Sequence, residues 1–254
     1  MRDLDIPQLS NNIQNWIKTY LKSANAEKVV VGISGGIDSA VTGGLCAEAI
    51  GEQNVFGLIL PCESIPADIE DAKMVVKSLG INQELIGLTP VFKEFMKALS
   101  FNDSKNKIAK ANLKARLRMV TLYYYGQVLG DCLVAGTGNR AEMAIGYFTK
   151  YGDGGVDFEP LGSLYKSEVR ALAETLKIPK KIISKPPSPG LWPGQTDEGE
   201  IGLSYDIIDE ILYRIDYNLD FDDFDLEKVN KVKELMRKAK HKLHPPPSYR
   251  VLQE

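Results

Sequence analysis

The sequence predicts an α/β fold, a doubly wound and largely parallel sheet with helices on both faces, and three observations carry that expectation. The run Lys28-Val29-Val30-Val31-Gly32-Ile33 is β-branched and has no polar alternation, as a central parallel strand covered on both sides requires. Strand-like runs then alternate with stretches of helical periodicity, the pattern of right-handed βαβ crossovers. Glycine-rich turns follow two of the strands, after Ile33 and at Gly136-Thr137-Gly138. In such sheets ligands bind at that carboxyl edge.

Each element has its own local reason. Ile13, Trp16, Ile17, Tyr20 and Leu21 share one helical face, which predicts an opening amphipathic helix packed on the sheet. After the first strand, Ala40, Val41, Leu45, Ala49 and Ile50 keep helical spacing, and residues 55–61 read as the second strand. Pro66 at a first-turn position, with Ala72, Val75, Val76 and Leu79 before Gly80, marks the next helix and its stop. Residues 84–88 read as a strand, Thr89 as the cap of a helix with Pro90 in its first turn, and 112–129 as a long helix feeding the strand Cys132-Leu133-Val134-Ala135-Gly136. Beyond residue 150 the chain turns loop-rich: 151–157 reads as a flexible glycine loop and 185–202 is dense in Pro and Gly. Loops of this kind are candidate substrate lids. Helices at 204–215 and 225–239 close the chain around the acidic run 216–225, read as a solvated connection.

With 254 residues the chain can bury a substantial core, and a single domain over 1–254 is expected. A net charge of −3 gives no bulk electrostatic hold on nucleic acid. The N-terminus is polar and no apolar run reaches membrane-spanning length, which predicts a cytoplasmic protein with no membrane partner. Cys46, Cys62 and Cys132 are odd in number, far apart and set among apolar neighbours, so they read as buried free thiols rather than a disulfide framework, a zinc site or a nucleophile.

Ser34-Gly35-Gly36-Ile37-Asp38-Ser39 lies between a buried strand and a helix, where successive backbone N–H groups and the helix dipole favour an anion. It is a phosphate cradle, yet no Lys precedes the terminal Ser as in a Walker A loop, and it is not a G-x-G-x-x-G fingerprint. A carboxylate beside phosphates repels them unless a divalent cation lies between, so Asp38 points to Mg²⁺. A plain helix N-cap formed by Asp38 or Ser39 is the competing reading.

The loop resembles that of the ATP pyrophosphatases, which hold the pyrophosphate of ATP while AMP passes to an acceptor oxygen. Further blocks resemble the ammonia-dependent NAD synthetases within that superfamily: Gly136-Thr137-Gly138-Asn139-Arg140-Ala141-Glu142, Gly146-Tyr147-Phe148-Thr149-Lys150-Tyr151-Gly152-Asp153-Gly154, Pro160-Leu161, Leu164-Tyr165-Lys166, the stretch 112–119, Lys185-Pro186-Pro187-Ser188, Gln195-Thr196-Asp197-Glu198 and His241-Lys242. The resemblance implies an adenine-nucleotide α-hydrolase-like, Rossmann-like fold. It implies ATP contacts from Gly32, Ile33, Ser34, Gly35, Gly36, Ile37, Asp38, Ser39, Thr137, Lys166 and Ser188, with Mg²⁺ held by Asp38 and Glu142. Deamido-NAD contacts fall on Arg116, Lys150, Asp157, His241 and Lys242, with Arg118 an alternative to Arg116 because residues two apart face different sides of a helix. Asp38, Lys150 and Lys166 are the catalytic candidates. Without the resemblance, Glu142 and the lysines read as solvated surface groups and His241 as structural.

The implied activity is ATP-dependent amidation of deamido-NAD by ammonia through an acyl adenylate, giving NAD, AMP and pyrophosphate. Glutamine-using relatives carry an N-terminal hydrolase domain with a catalytic cysteine. Only 33 residues precede the loop here, so ammonia rather than glutamine is the expected nitrogen source. Homodimers are implied, with the long helix through Arg116 as a contact surface, and 243–254 is expected to be a flexible tail. The rival readings are a tRNA-modifying adenylating enzyme, which calls for an added basic domain or cysteine pairs, and a non-catalytic nucleotide-binding regulator.

Overall fold

The structure is a computed structural model that describes residues 2–99, 106–187 and 196–249. In chain order the elements are α1 (Ile6–Ser23), β1 (Lys28–Gly32), α2 (Ile37–Ile50), β2 (Val55–Ile59), α3 (Pro66–Leu79), β3 (Asn82–Leu85), α4 (Thr89–Ala98), α5 (Lys107–Leu129), β4 (Cys132–Ala135), α6 (Arg140–Ile145), α7 (Lys166–Thr175), α8 (Lys180–Ile183), α9 (Asp197–Ile201), α10 (Tyr205–Asp216) and α11 (Leu226–Ala239). Among the described residues the strands form one sheet in the order β3-β2-β1-β4, every pairing parallel. A bridge from Ala135 to Phe158 extends the sheet beyond β4 by one residue.

β1 explains why its sequence has no polar alternation. Val29 and Val31 enter the core shared with α1, α2, α3 and α7, while Val30 enters the core on the opposite face with Leu58, Phe92, Val134 and the partly buried leucines of α5. All three valines are fully buried, and each contributes about 1.5 kcal/mol or more of burial free energy. A further cluster joins α6, α10 and α11 through Tyr165, Tyr205, Ile208, Ile211, Leu212 and Val232. It holds the helices that follow the sheet against its carboxyl edge.

Several local expectations shift. β3 covers Asn82–Leu85, two residues earlier than 84–88, and its side chains are exposed because it is an edge strand. The chain past Leu85 still tracks β2, with the Ile86 and Leu88 N–H groups donating to the Ile59 and Pro61 carbonyls. Leu88, not Thr89, is the N-cap of α4, and the Thr89 hydroxyl accepts the Glu63 N–H instead. α5 starts at Lys107, with Asn106 capping the Ala109 N–H. Trp16 turns out of the α1 packing face and is 45% exposed, stacking on Tyr20. The acidic run is not solvated throughout: Asp216 accepts from Arg140 and the Tyr165 hydroxyl.

The glycine loop 151–157 is a hydrogen-bonded turn rather than a loose flap. Gly152 and Gly154 N–H both donate to the Thr149 carbonyl, Gly155 N–H to Gly152, and the Asp153 carboxylate accepts the Thr149 N–H. Of the tail, 243–249 carries no helix or strand beyond a short turn, and 250–254 lies outside the described residues. The cysteines are free: Cys46 and Cys62 are buried and Cys132 half-buried, and burial pushes the Cys46 thiol up to about 12. No described helix is long and apolar enough to cross a membrane.

Candidate active site

β1 delivers the chain into the 34–39 turn, and the turn holds itself in shape. The Ser39 hydroxyl accepts the Ser34 N–H at 3.2 Å and donates to the Gly36 carbonyl at 3.0 Å, while the Ser34 hydroxyl accepts the Gly36 N–H at 3.2 Å. Gly35 has φ +81°, and a Cβ there would meet the Asp68 carbonyl oxygen at 2.7 Å and the Ala72 nitrogen at 2.9 Å. Only glycine meets both demands. Gly36 is the N-cap of α2 and brings no side chain, so no side chain caps the first turn of that helix. Asp38 is inside the helix, not its cap, which removes the N-cap alternative.

Asp38 instead joins a buried cluster. Its Oδ1 accepts the Asn139 side-chain amide at 3.0 Å and its Oδ2 lies 2.6 Å from Lys166 Nζ. Glu142 Oε1 is 3.5 Å from the same ammonium. Asn139 and Glu142 form a capping box at the start of α6: the Asn139 side chain accepts the Glu142 N–H at 3.1 Å, and Glu142 Oε2 accepts the Asn139 N–H at 3.2 Å. One fully buried amide therefore caps α6 and orients Asp38 on α2. The Tyr205 hydroxyl lies 3.2 Å from Glu142 Oε1 and 2.8 Å from Asp197 Oδ2, and its ring lies under Lys166 Nζ at 4.7 Å.

Asp38, Glu142, Lys166, Asp197 and Tyr205 all belong to the first turns of their helices, α2, α6, α7, α9 and α10. Side chains from the starts of five helices thus come together, and the start of α2, which no side chain caps, favours an anion. Burial pushes the Glu142 carboxyl up to about 7, with Lys166 opposing and the like charge of Asp38 adding to the rise. Burial pulls the Lys166 ammonium down, but Asp38 and Glu142 outweigh it and keep it charged.

Asp38, Glu142, Lys166 and Asp197 line a cavity of about 800 Å³ that opens over the 34–39 turn. Gly32, Ile33, Ser34, Gly36, Ile37, Asp38, Ser39, Thr137, Glu142, Lys166 and Lys242 all reach it, so most of the expected nucleotide and metal residues come together. Gly35 lies behind the turn. Ser188 lies outside the described residues.

The expected deamido-NAD residues are divided. Lys242 lines the cavity, its Nζ on the Gly146 and Phe148 carbonyls. Arg116 does not: it is exposed and donates to the Lys150 carbonyl, whereas Arg118 lines the cavity with its guanidinium on the Leu60 carbonyl and Ser64 hydroxyl. Lys150 Nζ donates to the carbonyl of the exposed His241 at 2.7 Å, on the outer side of the glycine turn. Asp157 is used up inside the fold, because its carboxylate accepts the Val134 N–H at 2.7 Å and the Tyr123 hydroxyl at 2.9 Å. That carboxylate finishes β4 where a neighbouring strand would otherwise continue.

Asn139, Asp197 and Tyr205 were not legible as site residues. Asn139 had a signal, since Asn three residues before Glu is capping-box spacing. Asp197 lay in a block that resembles the family but carried no assigned role, and Tyr205 had no signal, because only the packing of α9 and α10 brings them to Glu142.

The family model described as NAD synthase matches residues 9–246. The NH(3)-dependent NAD(+) synthetase of Archaeoglobus fulgidus is 44% identical over 250 residues, 98% of this chain and 98% of that protein. Among solved structures, the NMN synthetase of Francisella tularensis is 35% identical with a TM-score of 0.89, covering 98% of this chain and 100% of that one. The NH3-dependent NAD synthetase of Campylobacter jejuni is 32% identical with a TM-score of 0.81, covering 97% and 100%.

Proposed function

The chain belongs to the NAD synthase family, and we propose that the cavity over the 34–39 turn is where its reaction takes place. The reaction is ATP-dependent amidation of deamido-NAD by ammonia, a C–N ligation that yields NAD, AMP and pyrophosphate. The observation that carries the site assignment is the meeting of Asp38 and Glu142 on Lys166 beside a glycine turn that leads into a helix.

A resonance-stabilised carboxylate does not exchange oxide for ammonia at useful rates. Its attack on the α-phosphate of ATP gives an acyl adenylate and frees pyrophosphate, and ammonia then displaces AMP. The first turn of α2, which no side chain caps, supplies fixed N–H dipoles toward the departing pyrophosphate. Lys166, buried and charged, adds a cation that needs no reorganisation during the reaction. Asn139 keeps the Asp38 carboxylate aimed at the same point.

Two hard carboxylates lining one cavity, one of them pushed toward neutrality by burial, suit a divalent cation better than they suit each other. Asp38 and Glu142 are therefore the residues that would hold Mg²⁺. Bound there, the ion would offset charge on the triphosphate.

The discriminating experiment follows pyrophosphate release with ATP, ammonium and deamido-NAD, omitting each in turn. Release that needs all three, with NAD as product, is the expected result; release without deamido-NAD, or none at all, overturns the reading. Glutamine in place of ammonium is expected to give no amidation by this chain. Because the Francisella relative is an NMN synthetase, nicotinate mononucleotide belongs in a parallel arm, and deamido-NAD is expected to have the higher kcat/KM by about tenfold or more.

The same reading assigns a homodimer and a cytoplasmic location. Val120, Tyr124 and Val128 form an exposed apolar stripe along α5, 58%, 69% and 69% accessible, which supports α5 as the contact surface.

A further inference from the structure

The 34–39 turn contains no lysine, so the cation that a phosphate-binding loop ordinarily carries has to come from elsewhere in the fold. Arg118, Lys166, Lys185 and Lys242 are the cationic residues among those described that line the cavity. Arg118 is bonded to the Leu60 carbonyl and the Ser64 hydroxyl, Lys242 to the Gly146 and Phe148 carbonyls, and Lys166 is on the Asp38 side of the turn. Lys185 is on the other side. Its Nζ is bonded to Asp68 Oδ1 and Asp71 Oδ2, each at 2.7 Å, and both acids belong to the start of α3, the segment against which Gly35 packs.

We propose that Lys185 is a direct ligand of the pyrophosphate portion of the nucleotide, supplying from the far end of the chain the positive charge that the turn lacks. This inference rests on the nucleotide-binding reading above. An ammonium has three N–H donors. Two are spent on Asp68 and Asp71, which fix the side chain beside the turn, and the third is left for an oxygen in the cavity that Lys185 lines.

The anchoring acids can share the ammonium with a phosphate without being orphaned. Asp71 keeps a second cation, Lys181 Nζ at 2.5 Å. Asp68 sits in the first turn of α3, where the helix dipole favours a carboxylate. Lys185 remains 27% accessible, against 21% for Asp68 and 3% for Asp71, so the ammonium is more open than the acids that hold it. Lys181 pairs with the same Asp71 but does not line the cavity, and it therefore separates an anchoring role from a ligand role.

The test measures binding of inorganic pyrophosphate and of AMP by calorimetry, with Mg²⁺ present, to the wild-type chain, Lys185→Met and Lys181→Met, with melting temperatures recorded for each. Lys185→Met is expected to weaken pyrophosphate binding about tenfold or more, the effect of losing one charge-assisted bond, while AMP binding stays within about twofold. Lys181→Met is expected to leave both within about twofold. Unchanged pyrophosphate binding by Lys185→Met, or an equal loss in Lys181→Met, overturns the inference. Lys185→Gln, which can still donate to Asp68, serves if the methionine variant melts too low, and Lys185→Arg should restore pyrophosphate binding. A wild-type chain that binds neither pyrophosphate nor AMP overturns the nucleotide-site reading itself.

Discussion

Removing the Asp38 carboxylate would leave the buried Lys166 ammonium with Glu142, 3.5 Å away, as its remaining acidic partner, and would leave the Asn139 amide without its acceptor. Asp38→Ala is accordingly expected to lower turnover by about a hundredfold or more, on the scale of losing one preorganised electrostatic group. Near-normal turnover in a folded Asp38→Ala chain would take Asp38 out of the mechanism. Residue-level reasoning pointed to Asp38, because a carboxylate at a phosphate cradle has few uses, and the resemblance added Glu142; both line the cavity. It was weaker for Lys150 and Asp157, where a residue type in a recognisable block does not say which way the side chain points. Asp157 spends both oxygens on β4 and Tyr123, and Lys150 reaches the backbone of His241.

Among the elements, α2 depends most on one residue. Gly35→Ala would place a Cβ in left-handed backbone against the start of α3. It is expected to destabilise the chain by about 2 kcal/mol or more and to weaken ATP binding with it, as denaturant unfolding and calorimetry would report; a stable variant with wild-type ATP affinity would contradict this. The start of α7 offers a pH test. Asp209 on α10 is buried, accepts the Ser167 N–H at 3.2 Å, and is pushed by burial up to about 6. Because the folded chain holds that proton more tightly than the unfolded one, this group's stabilisation is full below about pH 4 and lost as pH rises through 6. Asp209→Asn should therefore be more stable than wild type at pH 7.5, by up to about 3 kcal/mol. It should lose that advantage by pH 4. Equal melting differences at both values would refute the assignment.

For the whole molecule, the proposed homodimer is tested at the exposed apolar stripe of α5. Sedimentation is expected to give the mass of two chains, and Tyr124→Asp, at an exposed position that leaves the core untouched, should shift the chain toward monomer at micromolar concentration. A wild-type monomer would rule out α5 as a self-association surface. At this scale the cavity is a joint product of the sheet edge and the helical layer of α6, α10 and α11. The sheet brings the 34–39 turn, the layer brings Glu142 to it, and α9, packed on that layer through Ile201, brings Asp197.

The sequence by itself determined the sheet's parallel core and the turn at its carboxyl edge, and its resemblance to a known family singled out Asp38, Glu142 and Lys166. Those features are written in local patterns: a β-branched run buried on both faces, glycines before a helix, and short blocks whose residue types serve one chemistry. Tertiary structure alone decided that Arg118 rather than Arg116 faces the cavity, that 151–157 is a tied turn, and that Asp197, Tyr205 and Lys185 gather near the 34–39 turn. The reason is physical. Side-chain direction and the meeting of segments more than a hundred residues apart are set by which faces the helices bury, and no local run of residues encodes that.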